Sequence, residues 1–227
     1  MSDHTGSTAA TDAPRPLPRS ARSERRLELA VTILLAAATV AAAWSSYQSA
    51  RWSGVQTINF SKANASRVES TRRSALAGQQ TQVDVSTFIA WVDAYSAGDK
   101  QRSDFYFERF RPEFKPAVAA WIASRPLKTP GAPPTPFAMP QYRLAATAQA
   151  DALERTADRA TAQAKIDNQR SDNYVLALVL FASALFFAGI STKLNLYQFR
   201  VAIVAMGYAV FLGTLIWLAT FPITVAI

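Results

Sequence analysis

The chain of 227 residues is half hydrophobic and carries a formal charge of +8, with a mean hydropathy of only +0.04, so its apolar residues are segregated rather than mixed. It has no cysteine, which excludes disulfides, thiolate nucleophiles and every Cys-ligated metal site. The only histidine, His4, stands in a Ser/Thr/Ala/Pro stretch without partners for a triad or a metal, and no Rossmann-type or P-loop glycine pattern occurs.

Residues 1–26 read as a disordered basic tail holding Arg15, Arg19, Arg22, Arg25 and Arg26. The first apolar run, "LELAVTILLAAATVAAAW", predicts a transmembrane helix over 27–45. From Leu29 to Ala50 there are 22 uncharged residues, and about 20 suffice to cross a bilayer at 1.5 Å per residue. The same run meets the formal requirements of a secretory signal peptide, with an Ala41-x-Ala43 site. The uncleaved anchor is preferred, because the basic leader is long and the aromatic stripe continues directly past that site.

Residues 46–172 predict a helical extramembrane region. Trp44, Tyr47, Trp52, Val55 and Ile58 keep near-helical spacing, so the first span continues as helix, and the stripe returns as Val85, Phe88, Ile89, Val92 and Tyr95 before a stop at Gly98 and Asp99. Gly78 is a point at which that helix could bend. A second helical stretch over 101–124 has Phe105, Tyr106, Phe110, Phe114, Val118, Trp121 and Ile122 as its apolar set. Pro112 and Pro116 cut it in two, Pro116 suiting a first helical turn. Residues 125–140 hold half of the 12 prolines and read as an extended connector. An Ala-rich, Gly-free and Pro-free helix over 141–172 then runs into the second apolar run without a break, with Ala145, Ala148, Ala152, Ala160 and Ala164 expected along one side. A long helical hairpin or bundle of coiled-coil type follows, with a thin Ala-lined seam.

The second and third spans are read over 173–192 and 201–222, joined by a short segment whose only charges are Lys193 and Arg200. Basic residues near span ends stay in the cytoplasm. The tail and this loop hold seven of them and share a side in a three-span topology, which puts the N-terminus inside and 46–172 outside. The long region carries 17 basic against 12 acidic residues, a mixed-sign surface unlike a nucleic-acid stripe.

The phrases "AWSSYQSARWSG", "RFRPEFKPA", "PFAMPQYR", "NQRSDNYVLALVLFASALFFAGISTK" and "WLATFP", in this order, resemble a family of three-span bacterial membrane proteins grouped by a domain of unknown function. The likeness runs from about residue 25 to 225. It implies a multi-pass protein of the bacterial plasma membrane and carries over no catalytic residue.

The fold class expected is therefore all-α, an integral membrane protein with three transmembrane helices. Span interiors are uncharged, with Thr39, Tyr208 and Thr214 among their few polar groups, which argues against transport by a monomer. Glu154 and Asp158 sit one turn apart on a mixed-charge face, where carboxylates are usually just solvated. No catalytic, cofactor-binding or metal-binding residue is assigned, and no cofactor, nucleic acid or small-molecule ligand is evident. The expected function is a non-enzymatic accessory, scaffolding or interaction protein. The alternative is a sensor or oligomeric channel subunit working with a separate partner. The expected partners are the lipid bilayer and a second copy or another membrane protein. The interaction residues are the aromatic group Trp44, Tyr47 and Trp52 and the small-residue row Ala205, Ala209 and Gly213. Ala184 and Ala188 form a second such row on span two.

Overall fold

The computed structural model of the chain describes residues 19–126 and 128–224, with side chains from residue 22 onward. The expected tail, as far as residue 18, and His4 lie outside the described residues. Helices α1 (Arg19–Ser96), α2 (Lys100–Arg109), α3 (Lys115–Ala123), α4 (Ala145–Ser191) and α5 (Tyr197–Leu218) are joined by one short 3-10 turn at Pro136–Ala138, with no strand among the described residues. The fold is thus all-helical. α1 opens at Arg19, inside the segment read as tail, and runs past Gly78 without a break.

Two compact units divide the chain, residues 19–52 with 169–224 and residues 53–168. The first unit packs α5 against the first part of α1 and the last part of α4. Its core is Leu34, Ala38, Ala177, Phe181, Ala184 and Ala188, each fully buried, closed by Val204 and Phe211. Small residues bring the backbones together: a methyl group on Gly207 would stand 3.1 Å from Leu34 Cδ2 and 3.4 Å from Phe187 Cβ. Tyr208 donates its hydroxyl to the Ala30 carbonyl at 2.8 Å, a partner for a polar group between apolar helices. α1, α4 and α5 are each long and apolar enough to cross a membrane. The outward side chains here, Ile33, Val40, Phe186 and Ile216, are 62–72% exposed, a surface suited to lipid and not to water.

In the second unit α1 and α4 run antiparallel. Asn59 donates to Asp167 at 2.8 Å, Arg67 pairs with Asp158 at 3.5 Å, and Ser70 donates to the Ala150 carbonyl at 3.0 Å. The buried positions of α1 recur every seven residues as Ala63, Ser70, Ala77, Asp84 and Trp91, facing Ala146, Ala150, Ala157 and Ala164. Of the five alanines expected along one side of α4, only Ala164 is buried and Ala160 half-buried, whereas Ala145, Ala148 and Ala152 are exposed. The cause is rotational. At about 100° per residue the steps of the expected row, of three, four, eight and four residues, spread it over about 160° of the helix, whereas 146, 150, 157 and 164 stay within about 40° of one another.

Alanine methyls contribute under about 1 kcal/mol each, whereas a buried Phe contributes about 1.5–3 kcal/mol. The apolar stabilisation of the second unit therefore concentrates where α2, α3 and the 3-10 turn join α1. Phe114 and Val118 are fully buried there, with Phe88, Trp91 and Phe110 around them. The local signals act as expected. α1 stops in a Schellman turn, with Asp99 N–H bonded to the Ala94 carbonyl at 3.0 Å and Gly98 at φ +73°. Asp99 then caps α2, accepting from the Arg102 N–H at 3.0 Å. Pro116 lies in the first turn of α3. The proline-rich connector does more than span distance: Pro136 is buried and Phe137 stacks on Phe114 with centroids 5.0 Å apart.

Candidate functional site

Asp84 occupies a position in the seven-residue repeat that Ala63, Ser70 and Ala77 fill with small side chains, and its carboxylate is only 1% exposed. A buried carboxylate requires partners. Arg111, from the link between α2 and α3, donates Nη1 to Asp84 Oδ2 at 3.0 Å, and the Tyr142 hydroxyl lies 3.1 Å from the same oxygen. Arg111 Nη2 bonds Glu113 Oε2, and Glu113 Oε1 accepts the Ala145 N–H at 3.2 Å, capping α4. Asp84 Oδ1 has no hydrogen-bond partner among the described residues. Burial therefore holds the Asp84 carboxyl above the usual carboxylate range, against the opposing pull of the Arg111 guanidinium. Burial likewise raises the Tyr142 hydroxyl. The network ties α1, the link after α2 and the start of α4 together, and so fixes the aromatic layer beside it.

That layer ends in a cleft of about 450 Å³, lined by Trp91, Tyr95, Trp121, Ile122, Arg125 and Lys128. Trp91 and Tyr95 stack with centroids 5.3 Å apart, and Phe88 meets Trp121 edge-on at 5.4 Å. Trp121 donates its indole N–H to the Pro133 carbonyl at 2.8 Å, which fixes that wall against the connector. Arg125 ends α3 at φ +50°. The residue after it is Pro126, whose nitrogen has no hydrogen, so the long bond of a Schellman turn cannot form and the stop rests on Arg125 N–H to the Ile122 carbonyl at 3.1 Å. A non-glycine residue in this conformation costs about 1–2 kcal/mol. Neither Arg125 nor Lys128 makes an ion pair among the described residues. The size, the aromatic walls and a few polar groups at the mouth are those of a binding cleft. Two unpaired cations beside apolar walls suit a group that is both anionic and apolar.

Tyr95, Trp121 and Ile122 of this cleft are apolar positions read from the sequence, but none of the cleft residues is among the interaction residues expected from it. The buried network has a signal of its own in the sequence: "RFRPEFKPA" holds Arg111 and Glu113, and a lone Asp84 among Ala and Ser at seven-residue spacing marks a buried charge. Of the aromatic group expected to interact, Trp44 and Tyr47 are 43% and 46% exposed and lie 5.9 Å apart. Trp52 instead turns into the first unit, 7% exposed, donating its indole N–H to the Pro222 carbonyl at 3.2 Å with Arg170 over its ring. Ala205, Ala209 and Gly213 share an exposed face of α5, and nothing lies within 4 Å of a methyl group placed on Gly213. Close packing falls to Ala184, Ala188 and Gly207 instead.

Comparison of the chain with protein-family models, with curated proteins and with solved structures found no match.

Proposed function

We propose that this chain is a non-enzymatic interaction protein of a bacterial plasma membrane, belonging with the three-span proteins it resembles. In this reading 27–45, 173–192 and 201–222 are the spans, the tail is cytoplasmic, and 46–172 is an outer helical region of coiled-coil type. The observation that carries the reading is the cleft of Trp91, Tyr95, Trp121 and Ile122 with two cations, Arg125 and Lys128, free of ion pairs among the described residues. Aromatic side chains beside arginine are the groups that dominate protein–protein recognition. The buried Asp84–Arg111–Glu113 network supports it by fixing the cleft walls in advance, which lowers the ordering cost of binding. The occupant is a segment of another protein that sets an acidic residue beside an apolar one.

A photo-reactive phenylalanine analogue at position 122, in cells expressing the full chain, tests this. One discrete adduct is expected. It should disappear when Arg125 and Lys128 are both changed to Glu, and persist when Lys62 is changed to Glu. An adduct indifferent to the Arg125/Lys128 change, or none at all, would overturn the reading.

A further inference from the structure

At the end of the first unit remote from Trp52, a groove of about 520 Å³ lies between the start of α1 and the start of α5, lined by Arg22, Ser23, Arg26, Leu27, Tyr197 and Val201. Arg22 and Arg26 are one helical turn apart and line the same groove. Like charges at this spacing repel, and neither makes an ion pair among the described residues. An anion between them would relieve that repulsion. Arg200, the residue before Val201, is a further cation of this unit, its Nε buried without a hydrogen-bond partner among the described residues.

The groove changes character along α1. Its polar part is Arg22, Ser23 and Arg26, and its apolar part is Leu27 with Ala30, facing Val201 across the gap. From residue 22 to residue 30 the axis advances about 12 Å, the scale of the step from a headgroup to the upper acyl chain. Tyr197, 44% exposed, adds an amphipathic ring of the kind found at a membrane surface. A free phosphate would use the arginines and leave the apolar half empty.

We infer that this groove is a binding site for an anionic phospholipid, its phosphate held between Arg22 and Arg26 and one acyl chain lying along Leu27, Ala30 and Val201. The site is separate from the cleft and does not depend on what the cleft binds.

The test uses the full chain purified in mild detergent, with native mass spectrometry after addition of phosphatidylglycerol or phosphatidylcholine. Two arginines near a lipid surface correspond to a preference of about tenfold or more for phosphatidylglycerol. Arg22→Gln with Arg26→Gln should bring the two lipids to near parity. Removing charges from this end of a span also alters the signal that orients it, so Val201→Trp, which fills the apolar half without changing charge, provides a second arm. It should lower retention of phosphatidylglycerol several-fold. Millimolar inorganic phosphate should not displace the lipid. Equal retention of both lipids by the wild type, a preference that survives both variants, or full displacement by inorganic phosphate would overturn the inference, the last pointing to a free-phosphate site.

Discussion

Gln48 holds Thr224 by both ends of its amide. Its Oε1 accepts the Thr224 N–H at 3.1 Å and its Nε2 donates to the Thr224 carbonyl at 3.2 Å, across 176 residues of sequence. Gln48 is fully buried, so these bonds satisfy an amide that would otherwise be stranded. Beside it the Pro222 carbonyl accepts from both Trp52 and Tyr174, at 3.2 and 3.0 Å. Together these groups bind the segment after α5 back onto α1 and α4. They also explain why Trp52, an aromatic residue suited by type to an outer surface, is turned inward.

Replacing Gln48 by Leu removes both bonds to the Thr224 peptide groups. The expected loss is about 2 kcal/mol, at about 1 kcal/mol or more per lost bond. Gln48→Glu keeps the acceptor but, while ionised, sets a buried negative charge against the Thr224 carbonyl, and should cost at least as much as Leu. Thermal unfolding in detergent measures the order, and carboxypeptidase trimming through Thr224 should quicken in the same sequence. An unchanged melt and trimming rate for Gln48→Leu would show that the clamp contributes nothing.

The Asp84 network makes a prediction about pH. Its carboxyl is raised in the folded chain by burial, so the native state takes up a proton more readily than the unfolded chain. This one group therefore contributes stability below the ordinary carboxylate range, and the contribution is lost as pH rises through the raised value. Asp84→Asn should remove that dependence, giving a flatter profile over the mildly acidic range. Arg111→Met leaves the carboxylate without its cation and should destabilise the second unit by about 3 kcal/mol at neutral pH. The deficit should shrink on acidification, as Asp84 is neutralised. Helical circular dichroism during denaturant unfolding at stepped pH checks both the sign and the difference between the variants.

The orientation rests on the seven basic residues of the tail and the short loop, against which the long region also carries basic residues at its flanks. Single cysteines at positions 10 and 130 of this cysteine-free chain should react oppositely with an impermeant thiol reagent in intact cells. Position 130 should be labelled and position 10 protected, and the reverse pattern would invert the topology.

What could be read along the chain was whatever is local. Three uncharged runs mark three long apolar helices, and Gly98–Asp99 and Pro116 mark helix ends, because each acts within one turn of itself. The rotational phase of α4 was missed because alanine is equally at home on either face of a helix. Its seam shows only against α1, through pairs such as Ser70 with the Ala150 carbonyl. The Asp84 site was missed for a related reason. Spacing on one helix can mark Asp84 as buried but cannot name its partners, because its cation lies 27 residues away beyond a helix end and its phenol 58 residues away.

Two glycines of the first unit and α5 separate packing inside the unit from packing outside it. A methyl group on Gly207 would press on Leu34, itself fully buried, so Gly207→Ala should cost about 1–2 kcal/mol as an overpacked site. Gly213→Ala meets open space and exchanges glycine for a better helix former, so the isolated monomer should gain up to about 1 kcal/mol. Thermal unfolding of both variants in detergent distinguishes them, and equal effects would contradict the packing described.

The outward position of Gly213 leads to the prediction about self-association. Ala205, Ala209 and Gly213 recur at four-residue spacing on one exposed face of α5, flanked by Leu212 and Met206, 50% and 52% exposed. In a bilayer such a row lets two helix backbones approach closely, which drives association by contact where lipid offers no hydrophobic gain. Had the row served packing within the unit it would face Leu34 and Phe187, the place that Gly207 takes. A symmetric homo-oligomer through α5 is therefore expected in mild detergent. Ala209→Leu with Gly213→Leu should shift it toward monomer, whereas Ala184→Leu should damage folding instead, because Ala184 is fully buried within the unit. Mass measurement of the detergent-solubilised protein decides: a wild-type monomer, or an oligomer that the double variant leaves intact, would refute association through this face.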